Sequence, residues 1–413
     1  MAETNPFVVH REVLDVYERA RAAGLGDDEY VSLVKDADER VAEVAGTGFV
    51  VTPVVEIDLS DTDIAGTGPV VAKVETANVS GSHKARHLFG LLLDLLIEER
   101  AGDAAGGGQG SAGASPPLAI ASCGNAALGA AVVARSARRR LLVYVPTDAD
   151  PAVLAALDEL GAEVQVCRRE AGTDGDPCVH ALHAALADGA RAFTVQGPVC
   201  PNVIDGGRTL GLELAEQLDE LGIAVESIFI QIGGGALATA VMDGLARRRP
   251  GRALPRLHPV QARRAHPYVT CWRRVAPALR HELGLADGDD DRSLAEAMAA
   301  ALDRIDVAER LAAHGDAMVP WPATPSSVAS GILDDVTYDW RTVMAHQIET
   351  GGWPILVDEE TFVEAAALAA AQVEPPPDET GAAGLAGLLE LRRSSPDAGD
   401  GGPAVVLLTG VAR

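Results

Sequence analysis

From residue 117 to residue 261 the chain repeats one pattern: a short strand-like run, a tight turn, then a helical stretch. Residues 117–123 (P-L-A-I-A-S-C), 141–146, 162–167, 191–196, 227–232 (S-I-F-I-Q-I) and 257–261 read as strands. Helical patterns separate them at 126–140, 151–160, 177–187, 206–221 and 236–249, with Gly161 placed as a helix C-cap. A strand that is apolar throughout has to be covered on both faces. Strands joined through helices run parallel. The expected class is therefore α/β, a twisted parallel sheet with helices on both faces.

The flanks follow the same logic. Residues 7–47 read as helices, with Val13, Tyr17 and Ala20 on one face and Tyr30, Leu33, Val34 and Ala37 on the next. Further helices are expected at 293–313 and 359–371, and strands at 352–358 and 404–408. The segments 101–117 and 394–403 are rich in Gly, Ala, Ser and Pro and read as surface loops, as does the acidic run 287–291. Residues 374–377 (E-P-P-P) form a stiff break. Asp334 and Asp335 read as charges at a helix start, not as an acid/base pair.

A chain of 413 residues can bury one large core or two lobes. Its net charge of −26 argues against nucleic acid and anionic membranes as partners. No apolar run reaches the length of a membrane span, and the opening MAETNPFVVHREV shows no secretory leader, so the expected location is the cytoplasm. The cysteines are Cys123, Cys167, Cys178, Cys200 and Cys271. An odd number with no C-x-x-C pair argues against a disulfide framework and against a structural zinc site; no metal is expected.

The chemistry concentrates in residues 73–86, K-V-E-T-A-N-V-S-G-S-H-K-A-R. Only three lysines occur, Lys35, Lys73 and Lys84. Lys84 follows a turn-forming run and precedes Leu88, Leu91, Leu92, Leu95 and Leu96, an amphipathic helix spacing. An amine at a helix N-terminus has its pKa lowered by the positive helix end, which favours the neutral nucleophile. A solvated surface lysine fits this stretch equally well.

The stretch resembles the lysine motif of the fold-type II pyridoxal-phosphate enzymes, the tryptophan synthase β-like superfamily that includes threonine/serine dehydratases and threonine synthases. That motif reads roughly K-x-E-x-x-N-x-S/T-G-S-F/H/Y-K-x-R. Three further resemblances follow in family order. A-S-C-G-N-A-A is similar to the loop that holds the substrate carboxylate, which implies substrate contacts for Ser122, Cys123, Gly124 and Ala126 and a cofactor contact for Asn125. Cys123 stands where Ser is usual, and Ala126 where many relatives carry His or Thr. Gly233-Gly234-Gly235-Ala236-Leu237 resembles the phosphate cup, with Ala236 in place of the usual fourth glycine. Leu408-Thr409-Gly410 resembles the C-terminal position whose hydroxyl faces the pyridine nitrogen. T-G-A-A at 380–383 loosely resembles another family segment.

The resemblance implies a two-domain fold, with a larger cofactor-binding domain at 1–86 and 201–413 and a smaller mobile αβα domain at 87–200. It implies pyridoxal 5'-phosphate held by Lys84 as a Schiff base, a small amino acid as substrate, and a homodimer. The expected reaction is α,β-elimination by a threonine/serine dehydratase-like ammonia-lyase, with Lys84 catalytic. A threonine synthase-like or β-replacement enzyme is the alternative. It would need a second cation for a substrate phosphate, and Arg86, Arg208, Arg263 and Arg264 are the candidates. A non-catalytic ligand-binding homologue is the alternative of another class. His83 reads as a packing ring or a second acid/base.

Overall fold

The computed structural model describes residues 3–104, 115–169, 175–285, 290–302, 306–394 and 401–412. Most of the expected loops at 101–117 and 394–403, and of the acidic run 287–291, lies outside these. The strands are β1 (Val54–Ile57), β2 (Val70–Val74), β3 (Leu118–Ala121), β4 (Leu141–Pro146), β5 (Glu163–Cys167), β6 (Arg191–Ala192), β7 (Ser227–Gln231), β8 (Arg256–Ala262), β9 (Ile355–Val357) and β10 (Ala404–Leu408). They form two sheets. One has the order β1-β2-β10-β7-β8-β9, the other β5-β4-β3-β6. Every described pairing between these strands is parallel except that of β1 with β2. The expected α/β class with two parallel-dominated sheets is what the structure shows.

The chain groups into two compact units: Met1–Val51 with Asn78–Glu213, and Thr52–Ala77 with Leu214–Arg413. The expected partition had residues 1–51, 78–86 and 201–213 in the larger domain. Here they join the four-stranded sheet. Packing explains the grouping, because the Phe89 ring lies 4.8 Å from Phe7 and 4.6 Å from Phe49, all three fully buried. Asp205 adds a polar tie, accepting from the amides of Asp15 (2.9 Å) and Val16 (2.6 Å) at the start of the helix Asp15–Ala22.

In this first unit the helix Lys84–Ala104 approaches the helix Val203–Leu221 at backbone distance. A Cβ added at Gly206 would lie 2.2 Å from the Arg86 carbonyl oxygen, and one at Gly90 would lie 2.8 Å from the Gly206 Cα. The Arg86 guanidinium is buried there. It donates to both Glu213 carboxylate oxygens (2.5 and 3.3 Å) and to Thr209 Oγ1 (3.0 Å). Strand β5 departs from expectation: Val164 and Val166 are 37% and 50% exposed, because β5 is an edge strand.

In the second unit, β2, β7 and β10 are buried along their whole length, β10 being apolar throughout and β2 and β7 mostly so. The helix Ala383–Ser394 rests directly on this sheet. A Cβ at Gly384 would meet the Phe229 carbonyl oxygen at 2.6 Å, and one at Gly387 would meet Val260 Cγ2 at 2.4 Å. Lys73 is buried in β2 and donates to the Thr52 carbonyl (2.6 Å) and to Gln217 Oε1 (2.9 Å). Asp334 and Asp335 do not open a helix as expected. They follow the short turn Ser330–Ile332, and the next helix begins at Trp340. No described helix is long and apolar enough to cross a membrane.

Two outcomes test this packing. Gly206→Ala forces a methyl group onto the Arg86 carbonyl and lowers stability by about 1–3 kcal/mol, the usual cost of overpacking; denaturant unfolding measures it. His258 is fully buried, donates Nδ1–H to the Trp353 carbonyl at 3.0 Å, and has its pKa lowered by burial from 6.5 to about 3. The unfolded chain takes up this proton as the pH falls below the ordinary histidine range, while the folded chain does not until about pH 3. Stability therefore falls with pH across that window, by at most about 1.4 kcal/mol per pH unit for this ring. His258→Phe makes the unfolding midpoint less dependent on pH between neutrality and mild acid.

Candidate active site

Asn78 starts the approach to Lys84 by accepting from the Val79 amide, which opens the short turn Val79–Gly81. Ser80 and Gly81 then adopt positive φ, 58° and 69°. Positive φ is costly for a serine, so the surrounding packing must hold it there. The pair of left-handed residues reverses the chain so that Lys84 is the first residue of the helix Lys84–Ala104, as the sequence predicts. Of the other two lysines, Lys73 is locked in β2 and Lys35 pairs with Glu3 at 2.8 Å.

His83 is nearly buried and stands edge-on to His87, 5.8 Å between ring centroids. His87 Nδ1–H donates to the Val203 carbonyl at 2.9 Å. Burial, reinforced by the charge of Lys84, lowers the His87 pKa to about 3, so this ring is neutral near pH 7. The Ser82 hydroxyl is fully buried and has no hydrogen-bond partner among the described residues.

The second loop of the first unit follows β3. The Ser122 amide donates to the Tyr144 carbonyl at 3.1 Å, Gly124 takes the N-cap position, and Asn125 is the first residue of the helix Asn125–Ser136. Ser122, Gly124 and Asn125 are half-buried, Cys123 is exposed and Ala126 is buried. Asn125 does not take the left-handed conformation common for asparagine in a plain turn. A Cβ at Gly129, one helical turn after Asn125, would lie 3.3 Å from the Ala85 amide nitrogen. Glycine thus lets this helix seat against the residue that follows Lys84. The structure brings the Lys84 stretch and the loop 122–126 together within one unit.

The glycine loop and Thr409 belong to the second unit. Gly233 and Gly234 follow β7, and Gly235, at φ 101°, is the N-cap of the helix Ala236–Arg248. The segment 332–339 packs against this loop on one side. Thr337 Oγ1 donates to the Gly233 carbonyl (2.9 Å), and the Asp339 amide donates to the Gly234 carbonyl (2.8 Å). A Cβ at Gly233 would lie 2.5 Å from Asp334 Oδ2, and one at Gly234 would lie 2.9 Å from the Tyr338 ring. Among the described residues, no backbone carbonyl accepts from the amides of Gly233 through Leu237. A run of amides with no carbonyl acceptor, at a helix N-terminus, suits a phosphate ester. Ala236 keeps its amide in that run, so the missing fourth glycine removes no donor.

Thr409 follows β10 and is buried. Its amide donates to the Gly381 carbonyl (3.1 Å), and its hydroxyl accepts from Gln231 Nε2 (2.7 Å). Sequence reasoning passed over Gln231 and the segment 332–339. The amide side chain within the otherwise apolar run I-F-I-Q-I was a visible signal for Gln231. The 332–339 segment carries no comparable signal, because its place depends on a tertiary contact a hundred residues away.

Among solved structures, a threonine deaminase from T.th. is similar at a TM-score of 0.61 and 22% identity, over 92% of this chain and 98% of that one. Diaminopropionate ammonia lyase from Escherichia coli is similar at a TM-score of 0.61 and 17% identity, over 92% and 88%. At these identities the likeness concerns the fold. Among curated proteins, the chain is 29% identical over 136 residues to the biosynthetic L-threonine dehydratase of Lactococcus lactis subsp. lactis (strain IL1403), which is 33% of this chain and 32% of that enzyme. It is 28% identical over 189 residues to L-serine dehydratase of Saccharomyces cerevisiae (strain YJM789), 44% of this chain and 53% of that enzyme. The matches thus span about a third to a half of the length of these relatives. The family model described as pyridoxal-phosphate dependent enzyme matches residues 47–410, which takes in all four motifs, and the chain belongs to that family.

Proposed function

We propose that the chain is a threonine/serine dehydratase-like ammonia-lyase, which eliminates a β-substituent from a small amino acid and releases a 2-oxo acid and ammonia. The observation that carries this reading is the seating of Gly129 against Ala85, which sets the Asn125 loop beside the start of the Lys84 helix. Pyridoxal phosphate, when bound, supplies the sink for the electron pair left at the substrate Cα. The protein residues do the rest. Lys84 is the amine that would hold the cofactor and serve as general base for the substrate Cα proton. The loop 122–126 would offer amides at a helix N-terminus to the substrate carboxylate, and the Asn125 amide would donate to the cofactor's phenolic oxygen. The amides of Gly233 through Leu237 would hold the phosphate, and the Thr409 hydroxyl would be a neutral partner for the ring nitrogen.

Side-chain partners occupy three of the four arginines that the synthase alternative would call on, and Arg264, exposed, is the fourth. A second phosphate needs a free cation. Arg86 is committed to Glu213, Arg208 to Asp15 and Asp205, and Arg263 to Asp358 (2.8 Å). The dehydratase names of the curated relatives support elimination. A homodimer remains the proposed assembly, and sedimentation of the purified protein checks it.

L-serine and L-threonine are expected to yield 2-oxo acid and ammonia in equal amounts without an added nucleophile. Product that appears only when a nucleophile is supplied replaces this reading with β-replacement. Borohydride reduction of the loaded protein is expected to fix the cofactor on the Lys84 peptide, and Lys84→Ala to lower kcat by at least about 10²–10⁴-fold. A label on no lysine leaves a non-catalytic binding protein.

A further inference from the structure

The Gln231 side chain lies beneath Thr409 and is itself buried. Its Nε2 has three acceptors: Thr409 Oγ1 at 2.7 Å, the Thr380 carbonyl at 3.0 Å and the Gly381 carbonyl at 3.2 Å. One N–H serves the hydroxyl and the other is shared by the two carbonyls. The reverse orientation would set Oε1 against two carbonyl oxygens, so the carbonyls fix which end of the amide meets Thr409. They are fixed in turn. Gly381 sits where a Cβ would lie 2.3 Å from the Gly410 carbonyl oxygen, and its own carbonyl accepts from the Thr409 amide.

A threonine hydroxyl has one proton. Where it accepts from an N–H, that proton has to point away from the donor. From this we infer that Gln231 is a positioning residue that makes Thr409 a hydrogen-bond donor to the cofactor ring nitrogen, and so holds that nitrogen in its unprotonated, accepting form. The inference rests on the proposed reading of Thr409 and adds to it the residue that sets the direction of the bond. Without Gln231, the Thr380 and Gly381 carbonyls keep only the Ala383 and Thr409 amides as donors, and the Thr409 hydroxyl turns its proton toward them.

The test uses the full chain loaded with pyridoxal phosphate labelled with nitrogen-15 in the ring, whose resonance reports hydrogen bonding independently of turnover. Thr409→Val removes the donor and is expected to move the resonance downfield, toward that of a free neutral pyridine. Gln231→Met is expected to move it in the same direction although the hydroxyl remains, and the double variant to match Thr409→Val alone, since both act on one bond. Thr409→Ser is expected to keep the wild-type resonance. Gln231→Leu substitutes for Gln231→Met should the latter not fold. A wild-type resonance in the Gln231 variants, together with a shift in Thr409→Val, overturns the inference and leaves the Thr409 reading standing. An unshifted Thr409→Val overturns both.

Discussion

The position of Lys84 depends on how closely three helix backbones pass. The helix that begins at Lys84 meets one neighbour at Gly90, Gly206 and Gly207 and another at Gly129. Any side chain at Gly206 would drive into a carbonyl oxygen, and one at Gly207 would meet the His87 ring at 2.2 Å. Close packing on two sides leaves the helix little freedom to slide or rotate. A rigid helix start gives the lysine a fixed origin, which a loop could not provide.

Buried polar groups carry a second layer of definition. Arg86, Lys73 and Gln231 all lie inside the protein with hydrogen-bonded partners. Such groups are costly unless satisfied, so each admits few alternative arrangements. The lysine motif therefore has two kinds of residue. Lys73 and Arg86 brace the structure at its ends, and Lys84 between them is the residue proposed for the chemistry.

Much of this was legible in the sequence. The six strands between residues 117 and 261 all appear, β6 shortened to Arg191–Ala192, since strand-like runs and helical spacers leave few other foldings. The turn before Lys84 and the glycine cap at Gly235 were visible because their residue types have special backbone preferences. The edge position of β5 was not legible: an alternating or apolar run does not say which strand lies outermost. The grouping of residues 1–51 with the smaller sheet was hidden for a similar reason, since it rests on an aromatic cluster of Phe7, Phe49 and Phe89 that no local pattern announces.

The sequence alone determined the α/β class, the strand–turn–helix motifs and the place of Lys84 at a helix start, because each is a property of neighbouring residues. Tertiary structure decided what those residues can do. It bound Arg86 and Arg208 to carboxylates, set Asp334 against the glycine loop instead of at a helix start, and placed the Gln231 amide under the Thr409 hydroxyl. Gln231 and Thr409 are 178 residues apart in the chain and 2.7 Å apart in space. The direction of a hydrogen bond between them depends on carbonyls supplied by a third segment, and only the folded chain brings those three together.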